Sequence, residues 1–208
     1  MPADLNAQDI VVGAIDVGKP ANIGWAILSR GDVEHGGDLD EFIVRFAELS
    51  TGKPSALEFE APLFIPHGRP LQKLTSQRNG ENGRPWSAGA GATVTTIGLA
   101  IMSHVLAGLR EQGCTQRATL DWKSWPKADD LLLFEAFVSG DNHAGPGEHW
   151  KDALSAAQGF VAAMSDLDAA NAMSESDVFS LIGACMVRTG WAETESDPLS
   201  QPCLVIRP

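Results

Sequence analysis

The run Ile10-Val11-Val12-Gly13-Ala14-Ile15-Asp16-Val17-Gly18 constrains this chain more than any other stretch. It is apolar up to a carboxylate and a glycine. It then turns through Lys19, Pro20 and Asn22 into a second apolar run, Ile23-Gly24-Trp25-Ala26-Ile27-Leu28. That pattern predicts a β-hairpin with Asp16 near the end of its first strand. A carboxylate placed there needs a partner or a cation, because burying an unpaired charge is costly. Other ligand-type groups of the chain are therefore expected to converge on Asp16.

The segment from Leu39 to Leu49 has apolar residues at helical spacing, an acid-rich first turn and Gly52 beyond its end, and predicts a short helix. Residues 56–61 alternate as a strand that Pro62 stops. Residues 66–91 are polar and rich in Gly, Pro and Arg, a long loop of the kind that is functional or disordered. A small, apolar helix is expected over Thr93–Leu109, then strands at 118–122 and 131–137, with a Gly/Pro loop at 138–148. Helices are expected from His149 to Met164 and from Ser176 to Arg188, where Asp177 offers itself as a capping acid, and a last strand at 203–206. This order is mixed α/β, with helices covering a sheet.

A chain of 208 residues holds one sizeable core, so a single domain over 1–208 is expected, its core at about 10–190. The formal net charge of −12 repels nucleic acid at long range, so any phosphate-handling site must carry its own positive charge or bound cations. Cys114, Cys185 and Cys203 are widely spaced, which argues against disulfides and structural zinc and fits a reducing cytoplasm. No basic region precedes an apolar one at the N-terminus, and the apolar helical runs look too interrupted to span a membrane.

Glu60 stands at the end of the 56–61 strand. If that strand is parallel to and beside the first, Asp16 and Glu60 emerge together at the carboxyl edge of the sheet. Glu58 shares the parity of Glu60 and lies deeper. In Glu148-His149-Trp150-Lys151-Asp152-Ala153, His149 and Asp152 are three apart on a helix and share a face. Two strand-end acids with a His/Asp pair form an oxygen-rich set suited to Mg²⁺ or Mn²⁺ in a two-metal site. Arg69, Lys73, Arg78 and Arg84 make a basic island in the long loop, a candidate phosphate clamp or else a solvated loop. Glu135 is a further candidate acid, which pairing with an arginine such as Arg84 would explain equally well.

Gly13-Ala14-Ile15-Asp16-Val17-Gly18 with Gly24-Trp25-Ala26, then Leu57-Glu58-Phe59-Glu60, then His149-Trp150-Lys151-Asp152-Ala153-Leu154, resembles the ribonuclease H-like superfamily, in particular its branch of RuvC-type resolvases and RuvC-like proteins. The resemblance covers about residues 10–165. It implies a mixed sheet that begins with a three-strand antiparallel meander and continues with parallel strands. It also implies metal ligation by Asp16, Glu60 and Asp152, with His149 as ligand or proton shuttle. The implied activity is Mg²⁺-dependent phosphodiester hydrolysis on nucleic acid, DNA before RNA, by a homodimer. Asp177 is an alternative closing acid. The 68–91 loop and the acidity of the chain depart from the pattern. A catalytically silent module binding a protein or small molecule is the competing expectation.

Overall fold

In chain order the elements are β1 (Val11–Asp16), β2 (Gly24–Ser29), β3 (Asp32–Gly36), α1 (Leu39–Ser50), β4 (Ser55–Phe59), β5 (Phe64–Pro66) and α2 (Gly89–Glu111). There follow β6 (Arg117–Thr119), β7 (Asp130–Ala136), α3 (His149–Ala163), α4 (Leu167–Ala170), β8 (Val178–Ser180), α5 (Leu181–Thr189) and β9 (Val205–Ile206). The computed structural model describes residues 9–81, 83, 85–137, 147–192 and 197–208.

The main sheet is mixed, in the order β3-β2-β1-β4-β7-β6, with β9 also against β7. β1, β2 and β3 form an antiparallel meander, whereas β4 is parallel to β1, and β7 to β4. The short strands β6 and β9 line the outer edge of β7 one after the other, both parallel to it. β1 is buried at every residue because it has a strand on each edge and helices on each face.

Strand alternation sorts the core into two layers. Val11, Ile15, Leu57, Phe59, Leu131 and Leu133 face a layer that includes α1, α2 and α5. Val12, Ala14, Ala56, Leu132 and Phe134 face α3. Helix α1 starts at Asp38, whose side chain accepts from the Asp40 and Glu41 N–H groups. It lies close to β1 because Gly13 has no Cβ; one placed there would stand 2.7 Å from the Phe46 ring. Against the other face, Ala153, Ala156 and Ala157 of α3 meet Ala14, Ala26 and Ala56, so the helix packs near the sheet. Phe160 then fills the wider end, its ring 4.4 Å from that of Phe134, a burial worth about 1.5–3 kcal/mol.

Two local expectations need correction. Residues 176–180 are not helical: Val178–Ser180 is extended and pairs antiparallel with Phe64–Pro66 in a separate two-stranded sheet, and α5 starts only at Leu181. Ser180, not Asp177, is its cap, accepting from the Gly183 N–H at 3.1 Å. The apolar run within α2 is longer than the sequence suggested, and by length and composition the helix would suffice to cross a membrane. Core helices meet the same criterion, and here Ile101, Met102, Val105, Leu106 and Leu109 are buried in the core. Finally, the long loop is tied to itself, Arg69 donating to the Ser76 and Gln77 carbonyls and the Trp86 indole to the Ser76 carbonyl. The 138–148 loop lies outside the described residues up to position 146.

Candidate metal centre

The parallel register sets Ala14 beside Glu58 and Ile15 beside Phe59. One residue on, the Glu60 N–H donates to the Ile15 carbonyl at 2.9 Å and extends the ladder past the end of β4. Asp16 and Glu60 thus come to the same edge, where they line one cavity. Across the hairpin Asp16 pairs with Gly24, and that glycine controls the approach of α3. A Cβ on Gly24 would stand 2.1 Å from the His149 carbonyl carbon and from the Trp150 nitrogen. Only glycine lets the first turn of α3 descend onto the hairpin at Asp16.

His149 is the first residue of α3, and Asp152 follows in its first turn, where a carboxylate is favoured by the helix N-terminus. One ligand-type atom each from Asp16, His149 and Asp152 lies within 4.8 Å of the others. His149 Nδ1 is 2.7 Å from Asp16 Oδ2. With Nδ1–H donating to that oxygen, Nε2 is left as the ring's lone-pair atom. Asp16 and Asp152 are both buried, which lowers the local dielectric and strengthens attraction for a cation. This group can hold a metal ion.

Glu58 belongs to the same constellation at a deeper level. It is fully buried, and its two oxygens accept from backbone groups on the two flanking strands: Oε2 from Ile15 N–H at 3.2 Å and Oε1 from Ala136 N–H at 3.1 Å. Burial, and then the neighbouring Glu60 and Asp16 carboxylates, push its carboxyl well above the usual carboxylate range. The backbone bonds oppose that shift without cancelling it.

The other expected site residues lie elsewhere. Glu135, next to Phe59 in register, points to the opposite face from Glu58. There it binds Arg78 through two charge-assisted bonds of 2.8 and 2.6 Å and accepts from the Leu63 N–H. Arg78 is fully buried and also bonds Glu81 at 3.1 Å, so it is an interior ion pair and not a phosphate clamp. Arg69 is held by Glu175 besides the two loop carbonyls. Lys73 is exposed on a 3₁₀ turn of the loop, and Arg84 lies outside the described residues. Asp177 is exposed and sits 3.1 Å from the His67 ring, which leaves Asp152 as the acid that α3 brings to Asp16. The tryptophans are anchors: Trp150 stacks on His35 at 3.9 Å, Trp125 packs on Phe160, and Trp122 donates to Asp168.

The cavity itself is what sequence reasoning missed. It measures about 650 Å³ and has Val17, Ala61, Pro62, Val94 and Phe137 among its walls. These come from four separate segments, and only the small residues around the start of α2 hinted at open space there. No protein-family model matches the chain, and no match was found among curated proteins or solved structures.

Proposed function

We propose that the protein is a Mg²⁺- or Mn²⁺-dependent phosphodiesterase acting on nucleic acid, with a ribonuclease H-like fold of the RuvC-like type. The observation that carries this proposal is the convergence of Asp16, His149 and Asp152 within 4.8 Å at the carboxyl edge of the parallel strands. The strand order, a three-strand meander followed by parallel strands, supports the fold assignment. The donor set fits a hard divalent cation: carboxylate oxygens dominate, no thiolate takes part, and one imidazole completes the group.

Asp16 and Asp152 would hold the metal, with Glu60 on the cavity wall beside them. A bound divalent ion supplies activation of water and stabilisation of the leaving oxygen in phosphodiester cleavage. The chain's own residues supply the rest. Asp16 fixes the His149 ring through Nδ1, so Nε2 either joins the donor set or carries a proton to and from the reacting oxygens. Glu58 braces the ends of β1 and β7 through its two backbone bonds and so holds the edge on which Asp16 stands. With a chain charge of −12, cation binding is what makes the edge receptive to phosphate.

The test is cleavage of branched, single-stranded and double-stranded DNA and RNA in Mg²⁺ or Mn²⁺, with the Asp16→Asn variant alongside. Cleavage by the wild type that Asp16→Asn abolishes is the expected result. Cleavage of none of these substrates overturns the nuclease assignment, and metal binding without cleavage would favour a catalytically silent binding module.

A further inference from the structure

Beside the acid cluster lies the 650 Å³ cavity, and its chemistry is lopsided. Among the described residues the charged side chains lining it are Asp16 and Glu60, both at its acidic end. The remaining walls include Val17, Ala61, Pro62, Val94 and Phe137, together with Pro85 of the long loop and the Gly- and Ala-rich entry to α2. Ala61 is buried against Gly98, where an added Cβ would stand 2.8 Å from the Ala61 methyl, so this wall is firmly packed from behind. Val94 and Ala90, four apart on the first turns of α2, line the cavity and retain access to solvent.

Three features limit the occupant. The volume lies within the range of pockets that enclose a small molecule, about 300–1,000 Å³, and is far too small for a nucleic-acid duplex. The apolar wall suits a flat, weakly polar ring. The acidic end, once a cation is bound, suits a phosphate attached to that ring. A single nucleotide combines these properties, with its base against the apolar wall and its phosphate at Asp16 and Glu60.

Resting on the phosphodiesterase assignment, we propose that this cavity receives one unpaired nucleobase and so directs the site to single-stranded nucleic acid or to an unpaired nucleotide within a duplex. A paired base would first have to be unstacked and extruded, at a cost of a few kcal/mol that an already unpaired base avoids. Because the charged side chains lining it among the described residues are acidic, the nucleotide and the divalent cation should bind with positive coupling, each raising the affinity for the other.

The experiment uses the full chain, thymidine 5′-monophosphate and a short single-stranded oligonucleotide as probes, and Mn²⁺ as the metal. Calorimetry first measures Mn²⁺ binding by wild type, Val94→Trp and Ala90→Phe. Titration with the monophosphate then follows, with and without Mn²⁺. Wild type should bind the monophosphate at least tenfold more tightly with Mn²⁺ present. Val94→Trp, which fills the cavity, should weaken that binding tenfold or more and leave the Mn²⁺ isotherm unchanged. Ala90→Phe, at the exposed rim, should do the same to a smaller degree, and it serves in place of Val94→Trp if that variant misfolds. The oligonucleotide should outcompete a blunt duplex of the same sequence. Monophosphate binding insensitive to both variants, or equal affinity for duplex and single strand, overturns the base pocket and leaves the metal site intact. Failure of wild type to bind Mn²⁺ instead overturns the phosphodiesterase assignment beneath it.

Discussion

Glu58 and Glu135 stand on adjacent parallel strands at the same edge of the sheet, both fully buried, and the chain treats them differently. On the α1/α2/α5 face Glu135 meets the Arg78 guanidinium through two bonds, and Glu81 and the Phe64 carbonyl also accept from that arginine. On the α3 face Glu58 is met by two backbone N–H groups and lies within electrostatic reach of Glu60 and Asp16, with His149 and Asp152 completing the cluster. One residue of strand parity separates a carboxylate matched by an internal cation from a carboxylate set able to take an external one. The first is architecture. The second includes a group that could hold a metal ion.

Removing the internal cation gives the largest expected effect on stability. Arg78→Ala leaves Glu135 buried without its partner and should cost about 3–5 kcal/mol in urea unfolding. Asp152→Asn, which keeps the shape of the side chain and takes one negative charge away from beside Asp16, should cost the metal-free protein less than Arg78→Ala does. A result in which both variants are equally damaging would erase the contrast between the two faces.

Mn²⁺ sharpens the contrast from the other side. At a concentration of about 100 times its dissociation constant it should stabilise the wild type by about 2.7 kcal/mol, measured as a shift in the urea midpoint. Arg78→Met, if it folds, should keep that increment and Asp152→Asn should lose it. Next in size is Gly24→Ala, whose methyl group would force α3 off the hairpin. It should cost about 1–3 kcal/mol from overpacking and weaken Mn²⁺ binding about 10–100-fold, with the β1–β2 pairing retained in hydrogen exchange.

The smallest expected effect is a pH slope. The folded-state pKa of Glu58 is raised, so the stability linked to its proton is fully present below the unfolded value of about 4.3 and is lost as pH rises through the folded value. Metal-free protein should therefore lose stability on going up from pH 4.3 through that window. Glu58→Gln should flatten the slope, at the expense of one of the two backbone bonds.

Much of this arrangement was visible in the residue order. The apolar run ending at Asp16, the alternation up to Glu60 and the i, i+3 spacing of His149 and Asp152 are local patterns, and local patterns are what strand ends and helix faces are made from. The strand at 32–36 was not visible because it is an exposed edge strand, Asp-Val-Glu-His-Gly, with no buried face to leave an apolar alternation. The short strands β5 and β8 exist because each supplies the other's partner from more than 100 residues away, and Val178-Phe179 looked like the start of a helix without that partner in view. The basic island misled for a related reason. Arg78 stands in a stretch with the composition of a surface loop, yet tertiary packing turns it inward onto Glu135, for which the sequence suggested an arginine such as Arg84. The role of Gly24 follows from its place opposite Asp16, and that could be known only once α3 was seen to land there.

If Asp16, His149 and Asp152 form a divalent cation site, its loss should be readable in metal binding itself. Isothermal calorimetry of Mn²⁺ binding to wild type and Asp152→Asn, both confirmed folded by urea unfolding, tests it most directly. Saturable binding by the wild type, weakened at least about 100-fold in Asp152→Asn, is the predicted result. No binding by the wild type, or equal binding by both proteins, would contradict it.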